Sequence, residues 1–183
     1  KGNLVINGYN SLSNNGGEWQ TLGAMTLTVQ NGTFTGTNAT LGSTGLLTLT
    51  AKGNLTDNGS YYESGNQINI TSQQGTTDFT GTILRAVDKL YVTAQKAFTA
   101  TGLDWVTGKD VTIKSNAESV AIGGNLASYQ AINLQAATTL TNTGVVQAVT
   151  NLTVVADSDI TNTGGTLLAN SVLSLNSTNG KIV

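Results

Sequence analysis

Few residues in this chain could do chemistry. Among 183 residues there are ten Asp or Glu and eight Lys or Arg, with no His, Cys or Pro. Imidazole and thiolate groups are therefore excluded as ligands or nucleophiles, and carboxylates remain as the acid–base groups. Asp57 and Asp78 each stand ten residues after the start of an apolar-polar-apolar triplet, at Leu47 and Ile68, while Glu18 and Asp104 share a different repeat position. Stacked carboxylates could bind a metal, abstract a proton or assist glycosidic hydrolysis. Two at a time make a thin site, too few for a three-carboxylate calcium centre, and a solvated polar face is their expected role. No catalytic residue, metal or cofactor is expected.

A second group could serve recognition. Tyr61, Tyr62, Tyr91 and Trp105 fall in the same stretch as Arg85, Lys89, Lys96 and Lys109, whereas after Lys114 the next positive charge is Lys181. Trp19, Tyr62 and Trp105 replace the Leu or Val of other repeats and are expected to fill a wider part of the core. Tyr61 and Tyr91 lie between inward residues of their strands and should point outward. Outward aromatics joined to basic groups suit a protein or glycan contact. The expected contact centres on Tyr61 and Tyr91, with Arg85 and Lys89 at its rim, facing a receptor or glycan on a neighbouring cell.

These residues are positioned by a repeat. Apolar-polar-apolar triplets begin at Leu4, Met25, Leu47, Ile68, Leu90, Val111, Ile132, Leu152 and Leu173, spaced 20 to 22 residues apart. Six residues before each later triplet stands another large residue (Trp19, Leu41, Tyr62, Leu84, Trp105, Leu126, Val146, Leu167), followed two positions on by a small one. Between them lies a further apolar residue: Leu12, Phe34, Leu55, Phe79, Phe98, Val120, Leu140 and Ile160. Alternation with period two reads as strands, and Asn/Gly clusters read as turns. One such unit cannot bury its apolar face alone and must stack on copies of itself.

The period is too short for ankyrin or helical repeats, and the leucine-rich pattern is absent. The expected fold is all-β: a right-handed parallel β-helix of about eight to nine coils, ~21 residues and three short strands each. Residues 1–183 form one segment, with irregular coils and longer loops over residues 1–110 (notably 38–45 and 72–77) and regular repeats over 111–183. The pattern is already running at both ends, so the chain is expected to be an excerpt from a longer one. The triplets Asn-x-Thr at Asn54, Asn69 and Asn151 match a glycosylation acceptor, yet composition alone explains them. A net charge of −2 argues against a nucleic-acid or anionic-membrane partner, and no apolar run reaches the length of a membrane span.

The string L-x-V-x-A-x-x-x-I-x-N-x-G-G-x-L-x-A over residues 152–169 resembles the filamentous haemagglutinin repeat of Gram-negative two-partner-secretion exoproteins. The likeness extends over essentially the whole chain, strong from Val111 onward and degenerate earlier, where Asn-x-Gly-Gly turns are lost except at residues 14–17. The resemblance implies a secreted or cell-surface rod, exported through an outer-membrane transporter, within an adhesin, haemolysin or contact-dependent growth-inhibition effector. The competing class is a polysaccharide-active β-helix enzyme of lyase or glycosidase type, which would need acidic and basic residues clustered on adjacent coils. Uniform Thr, Asn and Ser with sparse charge favour the non-catalytic shaft.

Overall fold

The computed structural model describes residues 2–183. Among them are 23 β-strands and no helix. The strands form a parallel β-solenoid of about eight turns, three strands to a turn. Wall I is a nine-stranded sheet running from the strand Leu4–Gly8 to the strand Val172–Ser177, and it contains every triplet. Its register never slips: Leu4, Met25, Leu47, Ile68, Leu90, Val111, Ile132, Leu152 and Leu173 pair in succession. Walls II and III belong to one 14-stranded sheet folded at a corner, through which the strands Phe98–Thr107 and Val120–Ser128 run continuously.

Alternation explains the cross-section. Inward residues of wall I are aliphatic or small, and outward ones are mostly Thr, Asn or Gln, whose polar or β-branched side chains suit a half-solvated sheet. Ile113, Leu134 and Val154 form a fully buried column that Leu175 closes in the last strand. On wall III, Trp19, Leu41, Tyr62, Leu84, Trp105, Leu126, Val146 and Leu167 pair one above another as the spacing predicts. Tyr62 and Trp105 are fully buried, and Trp19 packs on the core at its first coil.

Small polar residues turn the corners. The Ser64 hydroxyl donates to the carbonyl of Gly45 at 2.7 Å, Ser128 to that of Lys109 at 2.6 Å and Ser115 to that of Lys96 at 2.6 Å. Each hydroxyl satisfies a carbonyl group that leaves the ladder where the chain bends.

Two expectations are corrected on wall II. The column beneath Leu12, Phe34 and Leu55 continues through Thr77, not Phe79, before Phe98, Val120, Leu140 and Ile160. Phe79 sits two residues on, in a second inward column with Asn14, Gly36, Asp57, Ala100, Ile122 and Asn142. The reason is volume: the two inward positions of a coil share one space, filled as Phe34 with Gly36, Thr77 with Phe79, and Phe98 with Ala100. The early coils are not irregular either. Residues 38–45 are no inserted loop, because they contain the wall III strand Thr40–Ser43, and residues 72–77 carry a four-residue turn between the strands Ile68–Ser72 and Thr77–Thr80.

What persists through the early coils is a left-handed residue at the corner between walls II and III. It is Gly16, Asn38, Gly59, Gly81, Gly102, Gly124 and Gly164 in turn, with φ between 49° and 103°. Each stands two residues after the second inward position of its wall II strand. Only Gly, or less comfortably Asn, takes this conformation cheaply. The Asn-x-Gly-Gly string is thus one way among several to build the same corner.

Candidate partner-binding face

The four candidate contact residues divide between two walls. Tyr61 and Arg85 lie on wall III in the adjacent strands Tyr61–Ser64 and Ile83–Ala86, where Arg85 stands opposite Glu63. Tyr91 is in the wall I strand Leu90–Ala94, with Lys89 immediately before it. Tyr91 is 36% exposed and Tyr61 is half-buried, so both side chains do point outward. They do not form one patch, because the corner at Val87–Asp88 separates their walls.

The basic residues are tied down by acids on an adjacent coil. Arg85 forms an ion pair with Asp104 and also donates to its backbone carbonyl, Lys89 pairs with Asp110 at 3.2 Å, and Lys109 pairs with Asp88 at 3.1 Å. The Arg85 hydrogen bond holds the Asp104 carboxyl below its ordinary value, and Asp110 together with Tyr91 holds Lys89 above its own. Such partly exposed pairs contribute little stability each, but they leave no open cationic stripe in this region. The expected basic rim is therefore largely neutralised.

Around Tyr61 lies a groove of about 450 Å³, bordered by Gln20, Leu22, Thr40, Gly42, Thr44 and Glu63. Tyr61 donates its hydroxyl to Glu63 Oε2 at 3.2 Å, and partial burial with the neighbouring carboxylate raises the phenol above its ordinary value. A shallower groove of about 280 Å³ follows along the rod, between Glu63, Arg85, Val87, Val106, Gly108 and Tyr129. Leu22, Val87 and Tyr129 each follow the last residue of a wall III strand and are strongly exposed. Gln20, Leu22, Gly42, Glu63 and Tyr129 did not stand out in the sequence, since each is unremarkable until the coils are set in register. The signal lay in the outward column Gln20, Gly42, Glu63, Arg85 and Val106.

The carboxylates do not assemble a catalytic pair. Asp57 opposes Phe79, whereas Asp78 opposes Thr56 and Thr99, so the two point to opposite sides of wall II. Glu18 and Asp104 share a column at opposite ends of three intervening coils. No group of three or more Asp or Glu close enough to hold a metal ion occurs among the described residues.

Asp57 is also not on a solvated face. It is 2% exposed and accepts hydrogen bonds from Tyr62 Oη at 2.7 Å, Thr82 Oγ1 at 3.1 Å and the Ser60 amide at 3.3 Å. Gly36 makes the room, since a Cβ there would lie 1.8 Å from Asp57 Oδ2. Burial raises the Asp57 carboxyl, with the three donors opposing that shift, and burial beside Asp57 pushes the Tyr62 phenol well above its ordinary value. This cluster is closed off from solvent and serves the core.

Fold and surface together define a parallel β-solenoid whose wall III carries a mixed aromatic, polar and acidic groove. No protein-family model, curated protein or solved structure matches the chain.

Proposed function

We propose that the chain is a non-catalytic, rod-forming segment of a large secreted or cell-surface bacterial exoprotein, serving as shaft and contact region of an adhesin or contact-dependent growth-inhibition effector. The resemblance of residues 152–169 to the filamentous haemagglutinin repeat supplies the Gram-negative two-partner export route. The observation that carries the reading is the unbroken wall I register from Leu4 to Leu173, which links every coil chiefly to its neighbours. Such a chain can leave an outer-membrane transporter unfolded and fold coil upon coil, each coil offering its edge to the next. Absence of Cys and Pro removes disulfide reshuffling and slow prolyl isomerisation from that process. The outward ion pairs bind coil to coil and do not converge on a reacting centre.

The contact role is tested by binding of the isolated rod to target cells. Because the two tyrosines lie on different walls, Tyr61→Ser and Tyr91→Ser are compared singly, each at an unchanged melting temperature. Loss with one variant locates the contact on that wall. Equal binding by both, or none by the parent, leaves the segment a spacer. The export route is tested by a Cys pair that closes a disulfide in the periplasm, which should stall secretion; unimpeded secretion of the oxidised variant would count against threading.

A further inference from the structure

The groove beside Tyr61 is floored by a glycine that the fold does not require. Gly42 is inside the strand Thr40–Ser43, its register with Gln20 and Glu63 is unbroken, and its φ is not positive. A Cβ built on it would meet only the Gln20 side chain, at 3.4 Å, an ordinary contact. Other wall III and corner glycines differ: a Cβ would come within 2.6 Å of the Thr44 carbonyl oxygen at Gly65 and within 2.0 Å of the Val87 carbonyl oxygen at Gly108. Those two are demanded by the close approach of successive coils. Glycine inside a strand weakens it, and where there is no bulge or bend it marks a place where something approaches the backbone closely.

The lining indicates what that is. The half-buried ring of Tyr61 and the exposed side chain of Leu22 offer apolar surfaces. The Gln20 amide, the Thr40 hydroxyl and the Glu63 carboxylate offer hydrogen bonds on the same groove, and Thr44, whose hydroxyl donates to the Leu22 carbonyl at 2.8 Å, offers an acceptor. A sugar ring presents that combination in reverse, with a C–H face for the aromatic and hydroxyls for the amide and carboxylate. Peptide capture by strand addition could use only the outer edge of the terminal strand Glu18–Thr21; at Gly42 itself the strand Thr40–Ser43 is paired on both sides, so its backbone groups are already committed to neighbouring coils. Charge decides among sugars. Glu63 lines the groove and Glu18 holds the Gln20 amide, while the one nearby guanidinium, Arg85, is committed to Asp104. An acidic saccharide would be repelled.

We infer that the Gly42 groove is a binding subsite for a neutral saccharide, lying along the rod over the first three coils. This rests on the reading of the rod as a contact segment and names its ligand class. The test is titration of the isolated rod, followed by amide NMR shifts, with neutral cello-, xylo- and chito-oligosaccharides and with acidic oligogalacturonate. A neutral oligosaccharide should bind and shift the amides of Gly42 and Tyr61, and oligogalacturonate should not. Gly42→Val should weaken binding by about tenfold or more, as should Tyr61→Ala, the scale of one lost aromatic or close contact. The melting temperature of Gly42→Val should stay level or rise, since a β-branched residue replaces a strand glycine. Tyr129→Ala, in the neighbouring groove, should bind like the parent.

Binding by no neutral saccharide, equal binding of oligogalacturonate, or full binding by Gly42→Val overturns the inference. Cell binding is read separately on the same proteins. If cells bind the parent and Gly42→Val alike, the contact reading survives and the saccharide subsite fails; if cells bind neither, the contact reading itself fails.

Discussion

The second to fifth coils and the sixth to eighth share one unbroken wall I register but fill their cores differently, and between the fifth and sixth coils the corner of the folded sheet shifts register between Ala100 and Leu103. In the earlier group, Tyr62, Phe79, Phe98 and Trp105 form a ring cluster, with Phe79 edge-on to Tyr62 and to Trp105 at centroid distances of 6.1 and 5.3 Å. In the later group the same positions hold Val120, Ile122, Leu126, Leu140 and Val146, plus Asn142, whose side-chain amide donates to Asn162 Oδ1 at 2.7 Å. The ladder tolerates either filling because each coil supplies a similar volume to the core, even at the cost of leaving Asn14 Nδ2, Thr77 Oγ1 and Trp105 Nε1 buried without a hydrogen-bond partner. A buried carboxylate, by contrast, is fully provided for. Asp57 is housed by donors from Tyr62, Thr82 and Ser60, all in the ring-bearing half.

The sharpest break of this comparison is a carboxylate placed where no donors wait. Leu134 is fully buried between Ile113 and Val154, and its neighbours in that column are aliphatic. Leu134→Asp should cost several kcal/mol and abolish the cooperative melt or lower it steeply, followed by circular dichroism. A variant that melts like the parent would mean that the later coils are not packed in this register. Next in size is removal of the ring that crosses the early core. Phe79→Ala should cost about 3–5 kcal/mol, because it empties a site shared with three other rings. A loss below about 1 kcal/mol, measured by urea denaturation, would show that Thr77 and not Phe79 carries the packing of its coil.

Phe79 also shows what was legible in the sequence and what was not. The triplets and the large residues six positions before them gave wall I and wall III correctly, since corner length there is constant from Trp19 to Leu167. Wall II begins three to five residues after wall I ends, and one coil exchanges large for small between its two inward positions. Period two cannot distinguish Thr77-x-Phe79 from Phe98-x-Ala100, because both keep an inward residue at both places. For the same reason the inward direction of Asp57 was hidden: polarity suggested solvent, while parity with Leu55 placed it inside. The outward direction of Tyr61 and Tyr91 followed from parity alone, but their separation onto two walls, the acid partners of Arg85, Lys89 and Lys109, and the notch at Gly42 arise only when coils are stacked.

A smaller effect sharpens the comparison through pH. Burial raises Asp57 above the value it would have in the unfolded chain, so folding favours its protonated form. The stability this group lends is fully present below the unfolded-state value of about 3.9 and is lost as pH rises through the raised folded-state value. Asp57→Asn keeps an acceptor for Tyr62 and removes the titration. The melting-temperature difference, parent minus variant, should fall as pH is raised from about 4 toward neutrality. A difference that grows with pH would show that the Tyr62, Thr82 and Ser60 donors outweigh burial and hold the carboxylate ionised.

The smallest expected effect asks whether the early coils are degenerate copies or equally constrained ones. Asn38 is the one non-glycine residue with positive φ among the described residues, at 49°, in the corner occupied by Gly16 below it and Gly59 above. Its amide donates to the Asn58 carbonyl at 2.8 Å, and the Gly59 amide in turn donates to that of Thr80 at 2.8 Å, so the corner is built into the coil-to-coil ladder and cannot relax alone. Alanine in the left-handed conformation costs roughly 1–2 kcal/mol, whereas glycine takes it freely and Asn tolerates it. Asn38→Ala should therefore lower stability by about 1 kcal/mol in urea denaturation, while Asn38→Gly should stay within about 0.5 kcal/mol of the parent. If alanine and glycine proved equally stable at this position, the left-handed corner would be an accident of the second coil and the early repeats would be loose relatives of the later ones. If they separate as expected, the left-handed corner is a constraint that the second coil shares with its neighbours, and the departures from it lie in the later coils, at the register shift between Ala100 and Leu103 and at Gly144.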